Sequence, residues 1–287
     1  MRSLYRRLRR LKPQYAEIGP YRVRLPSNSP VLNYRKAFHL YDTQLAKIAS
    51  VLKTKYPALR AIDIGANVGD TAALIRESAE IPVLCIEGDP SLFPLLEENV
   101  AGLGPGVEIE HSFVGQDGMS VNLGAASDLG LNACLVEAVD ARGSVRLRSL
   151  RTILADHPVF ASSKLLKTDT EGFDFNILGQ SLEFIQQARP AIFFEYDPKF
   201  QPDEPRAGLD TIDELISVGY SDFIYYDNIG NFLLHADAGN RGILNDLDGY
   251  LASNRRHGVA VHFFDICALH REDADPFNYP QLCTESR

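Results

Sequence analysis

The sequence predicts an α/β protein built on a doubly wound, mainly parallel sheet with helices on both faces and an N-terminal extension. Three observations predict it. From about residue 41 onward, short apolar runs alternate with segments of helical periodicity, the order in which a parallel sheet acquires its crossover helices. A glycine turn joins the first of these runs to its helix, and later runs end in acids. With 287 residues, 45% hydrophobic and 23% charged, the chain is long enough for one large domain plus an extension, at ordinary globular composition.

The elements follow in order. Residues 13–30 are rich in proline and polar side chains, and Tyr21-Arg22-Val23-Arg24-Leu25 alternates as a short strand. Residues 1–40 are therefore read as a basic segment and arm, and residues 41–287 as the domain. Over residues 41–55, Leu45, Ile48, Ala49 and Leu52 share one helical face. Ala61-Ile62-Asp63-Ile64 is the first core strand, and Thr71-Ala72-Ala73-Leu74-Ile75 opens the next helix. Residues 81–87 form the second strand and end at Glu87. A helix starts at Asp89-Pro90-Ser91, with Asp89 or Ser91 to cap it and Leu92, Phe93, Leu95 and Leu96 to pack it.

Residues 107–114 are the third strand. Residues 118–149 lack a clear period and read as a β-type insertion or irregular loops. Residues 149–157 resume a helix, and Leu165-Leu166-Lys167-Thr168-Asp169 is a strand closing on an acid. One helix then carries Phe175, Ile177, Leu178, Leu182, Phe184 and Ile185 until Arg189-Pro190 breaks it, and Ala191-Ile192-Phe193-Phe194-Glu195 is the fifth strand. Residues 200–208 read as a loop. Residues 224–228 and 232–234 form two strands joined by a turn at Gly230, and residues 259–269 supply one more.

The run Asp63-Ile64-Gly65-Ala66-Asn67-Val68-Gly69-Asp70 carries the chemistry. A dinucleotide turn would read G-x-G-x-x-G and seat a pyrophosphate on a helix N-terminus, whereas this run reads D-x-G-x-x-x-G. Asp63 would repel a phosphate, so the spacing favours a ligand that is cationic or neutral there. S-adenosylmethionine, with its ammonium and sulfonium and no phosphate, meets that condition. A second acid is then expected at the end of the next strand to hold ribose hydroxyls, and Glu87 stands there. Donor-binding candidates are Asp63, Gly65, Ala66, Asn67, Gly69, Asp70, Glu87 and Asp89. In a doubly wound sheet, ligands bind beyond the carboxyl ends of the strands, so Asp63, Glu87, Asp169, Glu171 and Glu195 are expected to converge on one edge.

Charge and cysteine content limit the alternatives. The net charge is −9 although Arg2, Arg6, Arg7, Arg9, Arg10 and Lys12 crowd the first twelve residues, and so acidic a remainder argues against nucleic-acid binding. Leu4, Leu8 and Leu11 at helical spacing make this basic segment either a weak amphipathic contact to an anionic membrane surface or a solvated terminus. No run reaches membrane-spanning length and no signal-like apolar core is visible. Cys85, Cys134, Cys267 and Cys283 form no close pair, as expected for free thiols in a cytoplasmic protein. No histidine pair has metal-ligand spacing, and His39 and Tyr41 are expected in the core or on the surface more than at the site.

The turn at Asp63–Asp70, Glu87 with Asp89-Pro90, and Lys167-Thr168-Asp169-Thr170-Glu171-Gly172 with the later Arg189-Pro190 and Phe194-Glu195 resemble the FkbM family of S-adenosylmethionine-dependent methyltransferases. The resemblance spans roughly residues 41–231, and Asp174 stands where that family usually has glutamate. It implies a Rossmann-like methyltransferase sheet with an antiparallel strand near the C-terminus, and O-methylation of a hydroxyl on a sugar, glycan or natural product. In-line transfer needs an aligned acceptor oxygen and a group to take its proton. Asp169, then Glu195, then Glu171 are the candidates, with Lys167 holding one of them by charge. A magnesium ion on Asp169 and Glu195 is an alternative means of lowering the hydroxyl pKa. Two other readings remain: a non-catalytic binding protein that keeps the fold, and a nicotinamide-dependent oxidoreductase, which the glycine spacing disfavours.

Overall fold

In a computed structural model, residues 13–27, 29–123, 133–136, 144–170, 172–200, 204, 206–254 and 261–273 are described. The basic segment 1–12, Glu171, and the side chains of Cys134 and Cys283 lie outside them.

The first described elements form a hairpin, β1 (Gln14–Ile18) and β2 (Tyr21–Leu25), turned at Gly19. Only β2 was legible as alternation, yet Ala16, Ile18, Val23 and Leu25 from both strands are buried in the core that also holds the next long helix. A short helix, α1 (Val31–Ala37), has no buried residue. In α2 (Thr43–Lys55) the buried face is Leu45, Ile48, Ala49 and Leu52, as the periodicity predicts. Then β3 (Ala61–Ile64) leads into α3 (Asp70–Ala79), β4 (Val83–Ile86), α4 (Phe93–Val100) and β5 (Val107–Glu110).

The expected third strand is split. Ser112 is buried and donates a hydrogen bond to Glu110, turning the chain out of the large sheet, so that β6 (Phe113–Val114) pairs instead with a later strand. The described residues between 118 and 149 are of the β type: β7 (Ser120–Leu123), β8 (Ala133–Val136) and β9 (Ser144–Arg148) join β6 in a small sheet of order β6-β9-β7-β8. Next, α5 (Leu150–Asp156) is capped by Ser149, whose hydroxyl accepts the Thr152 N–H at 3.1 Å.

After β10 (Leu165–Thr168) the predicted single helix is two, α6 (Asp174–Gln180) and α7 (Leu182–Ala188), interrupted at Ser181. Gly179 and Ser181 are weak helix formers, and the break lets both pieces turn apolar faces to one core. The strand β11 (Ala191–Tyr196) is followed by α8 (Ala207–Ser217), which begins inside the expected loop and buries Leu209, Ile212 and Leu215. The last described elements are β12 (Tyr220–Asp227), β13 (Phe232–Asp237), α9 (Arg241–Asn254) and β14 (Phe264–His270).

The large sheet has the order β13-β12-β14-β11-β10-β3-β4-β5. Strands β11, β10, β3, β4 and β5 run parallel, and β14 is antiparallel to both β11 and β12. The chain steps from β3 outward to β4 and β5, then returns to β10 on the other side of β3. Strand order thus reverses between β3 and β10, and the crevice beyond their carboxyl ends is where such sheets hold ligands. Register there sets Lys167 opposite Asp63, and Asp63 opposite Cys85. Ile62, Ile64, Leu166 and Ile192 fill the core on one face, while Ala61, Cys85, Leu165 and Ala191 fill the other.

Candidate functional site

The loop from β3 to α3 bends through three left-handed residues, Gly65 (φ +73°), Asn67 (φ +51°) and Gly69 (φ +83°). A Cβ on Gly65 would lie 2.0 Å from the carbonyl oxygen of Asp169, so only glycine lets this loop pass against the one that follows β10. Glu87 braces the turn from the next strand: its Oε2 accepts the Asn67 N–H at 2.8 Å and its Oε1 accepts the Asp89 N–H at 2.7 Å. Burial raises the Glu87 pKa, and these two N–H donors oppose that rise.

Asp89 Oδ1 accepts the Ser91 N–H at 2.7 Å, closing a turn ahead of α4. Neither Asp89 nor Ser91 caps that helix by its side chain, because α4 begins later, with Leu92 at the cap position. Asn99 was not anticipated: its amide donates to the Val68 carbonyl at 2.8 Å and to the Arg24 carbonyl at 2.9 Å, tying the turn to the N-terminal hairpin.

Asp63 is fully buried and does not face the crevice directly. Its Oδ1 lies 3.0 Å from Nζ of Lys167, which also donates to the Gly65 carbonyl at 3.0 Å and stands 3.8 Å from Asp169 Oδ2. Burial raises the Asp63 pKa, and the ammonium of Lys167 works against that rise. Burial alone would lower the Lys167 pKa, but the charges of Asp63 and Asp169 outweigh it and raise it. Lys167 thus holds Asp63 foremost and Asp169 more loosely.

On the other side of the switch point, the Asp169 side chain is 56% exposed, open to the crevice. Glu195 is partly buried, and its pKa is pushed up to about 10, first by burial and then by the charges of Asp169, Asp174, Asp265 and Asp197. Asp174, the variant position of the motif, is buried; its Oδ1 accepts the Thr168 hydroxyl at 2.6 Å and its Oδ2 the Thr170 N–H at 3.3 Å. Burial and Asp169 raise its pKa to about 6, in spite of those donors. Gly172, Asp174, Phe175, Glu195, Asp197 and Phe200 line a shallow depression here.

Asp265 and Asp42 enter the site unforeseen, and Tyr41 joins them. Asp265 lies opposite Glu195 across the antiparallel pair β11·β14, and its pKa is raised by burial and by Asp169 and Asp42. Asp42 has a left-handed backbone (φ +60°) and lies 3.8 Å from Arg35, which is also 3.8 Å from Asp70. Tyr41 is half-buried and comes within electrostatic reach of Asp42, Asp169, Asp70 and Asp265, as in the lesser of the two placements considered for it; burial first, then these charges, raise its pKa. His39 is exposed. Proline-rich polar sequence around this arm offered no signal, since only the fold carries it to the crevice.

The donor candidates Gly65, Ala66, Asn67, Gly69, Asp70, Glu87 and Asp89 therefore surround one turn, with Asp63 beneath it. A turn ringed by Asp63, Asp70, Glu87 and Asp169, and with its one buried lysine already engaged by carboxylates, is unsuited to phosphate. It suits the ammonium and sulfonium of S-adenosylmethionine. Among the described residues no group of three or more His, Cys, Asp or Glu side chains is placed to hold a metal ion, so Asp169 and Glu195 lack a third such ligand for the magnesium considered above. Cys85 and Cys267 are buried and in no disulfide, and no described helix is long and apolar enough to cross a membrane.

Residues 63–221 match the Methyltransferase FkbM domain, a segment holding both the glycine turn and the Lys167–Gly172 motif. No curated protein matches the chain. Similar solved structures include Methyltransferase FkbM from Methylobacillus flagellatus, at 13% identity over 58% of this chain and 40% of that one, with a TM-score of 0.37. The chain thus spans less than half of that protein. Another is Precorrin-6y C5,15-methyltransferase from Geobacter metallireducens, at 11% identity over 78% of this chain and 87% of that one, with a TM-score of 0.39. A third is a TehB-like SAM-dependent methyltransferase from Corynebacterium glutamicum, at 10% identity over 85% of this chain and 100% of that one, with a TM-score of 0.40. With more than half its length matched by the family domain, this chain belongs to the FkbM methyltransferase family.

Proposed function

We propose that the chain is an S-adenosylmethionine-dependent O-methyltransferase whose acceptor is a hydroxyl of a sugar, a glycan or a natural product. The observation that carries this reading is the contact of the Gly65 turn with the loop of Asp169 at the switch point, which sets a donor loop against an exposed carboxylate. When bound, the cofactor supplies a methyl group already activated on sulfur. The turn from Gly65 to Gly69 would hold its amino-acid end. Glu87 spends one lone pair of each oxygen on Asn67 and Asp89, leaving the others for ribose hydroxyls.

Asp169 accepts the acceptor's hydroxyl proton. The raised pKa of Glu195 favours its protonated form, in which it would orient the acceptor as a hydrogen-bond donor, leaving Asp169 the first choice of base. Lys167 limits the swing of Asp169. The partner is a small molecule or glycan and not a nucleic acid, in keeping with the acidic charge balance, and any membrane-surface contact would come through residues 1–12.

Calorimetric titration with S-adenosylhomocysteine and, separately, NAD tests the donor assignment. Binding of the first alone is expected, and binding of NAD instead overturns the reading in favour of an oxidoreductase. Mass spectrometry with a deuterated-methyl donor then tests turnover on hydroxylated acceptors. Asp169→Asn is expected to lower kcat by roughly 10²–10⁴ while S-adenosylhomocysteine affinity stays within about threefold. Donor binding with no labelled product on any acceptor favours the non-catalytic alternative.

A further inference from the structure

Tyr34, Phe38 and Tyr41 form a stepped aromatic surface on the arm that leads into the crevice. Tyr34 and Tyr41 have ring centroids 5.5 Å apart at 22°, and Tyr34 and Phe38 are 6.4 Å apart at 24°. Such spacings are those of offset stacks, in which each ring leaves part of its face uncovered. Tyr34 is 45% exposed although it is a large aromatic side chain, and the helix that carries it buries no residue at all. Core packing therefore does not account for Tyr34, and Phe38 and Tyr41 beside it are half-buried. Tyr41 connects them inward to Asp42, Asp169 and Asp265, and Arg35, next to Tyr34, reaches Asp70 at the end of the donor turn.

We infer that Tyr34, Phe38 and Tyr41 are an acceptor subsite for a pyranose ring, a deepening that rests on the methyltransferase reading above. A pyranose presents a flat face of C–H groups that stacks on aromatic rings, and a rim of hydroxyls that donate to carboxylates. The arm offers both, with Asp42 and Asp265 as hydrogen-bonding partners beyond Tyr41. Near-parallel rings make a platform and not the box of angled rings that encloses a quaternary ammonium. The surrounding carboxylates repel phosphorylated and nucleotide acceptors.

The chain has no tryptophan, so Tyr34→Trp places a single indole on the platform. The probes are methyl glycosides of hexoses, 6-deoxyhexoses and uronic acids at up to tens of millimolar, with S-adenosylhomocysteine present at saturation and tetramethylammonium as a cationic control. A saturable emission change with at least one glycoside is expected, and its loss when Tyr41→Ala is added. In the methyl-transfer assay, Tyr34→Ala raises KM for the responding glycoside about tenfold and Tyr34→Phe restores it. No response to any glycoside, while S-adenosylhomocysteine still binds, overturns the subsite and leaves the donor reading standing. A response to tetramethylammonium alone overturns it in favour of a cation site. Failure of S-adenosylhomocysteine to bind, with the glycoside response intact, counts against the donor reading and not against the platform.

Discussion

Lys167 and Asp63 meet at 3.0 Å inside the sheet, one on β10 and the other on β3, directly opposite in the parallel register. The same ammonium donates to the Gly65 carbonyl and approaches Asp169, so one buried cation ties together the two strands whose carboxyl ends form the site. Both side chains are almost wholly inside the protein, where neither charge is tolerable alone.

Removing one partner is therefore costly. Lys167→Met is expected to lower unfolding free energy by about 3–5 kcal/mol, since it strands the Asp63 carboxylate in the core. Adding Asp63→Asn should recover part of that loss, because the stranded charge is gone. Urea denaturation of the single and double variants measures both effects, and additivity of the two changes would show that the pair is not coupled.

The Gly65 position is a packing constraint on the donor turn. Gly65→Ala puts a methyl group against the Asp169 carbonyl and forces a side chain into left-handed backbone, which alone costs about 1–2 kcal/mol. Because the two loops must separate, S-adenosylhomocysteine affinity should fall by more than the loss of stability suggests. Calorimetry beside thermal melting tells these apart.

Glu87 works as a double acceptor. Glutamine has one acceptor oxygen, so Glu87→Gln turns an amide N–H towards the N–H of Asn67 or Asp89. Loss of one charge-assisted bond is worth about 1.5–3 kcal/mol, which predicts a roughly 10- to 100-fold weaker S-adenosylhomocysteine complex. Unchanged affinity would mean that the brace does not shape the donor site.

Stability should also decline with rising pH. Asp42 is pushed up from 3.8 to about 7, by burial first and then by Asp70, and Asp174 to about 6, by burial first and then by Asp169. Both folded-state values lie above the unfolded one, so the folded chain holds protons that the unfolded chain releases. Their contribution is complete below about pH 4 and is lost as pH rises through about 6 and about 7. Melting temperature should fall from about pH 5 to pH 8, and Asp42→Asn, which suits the left-handed backbone there, should flatten the upper part of that slope. Circular-dichroism melts across the series decide this.

By itself the sequence determined the alternation of strands and helices, the Asp63–Asp70 turn, and the acids closing the strands. These are local: a 3.6-residue or two-residue period and a glycine at positive φ leave their mark within a dozen residues. It left α1, α8 and α9 unread and ran α6 and α7 together; α1, α6 and α7, at seven residues each, are too short to leave a clear period. Tertiary structure alone decided what faces what. Parallel register set Lys167 on Asp63 when the spacing suggested only the strand-end acids as its partners, and antiparallel insertion of β14 brought Asp265 opposite Glu195. The N-terminal arm folded back to place Tyr41 and Asp42 at the crevice. Such contacts join residues far apart in the chain, and only the packing of the whole sheet brings them together.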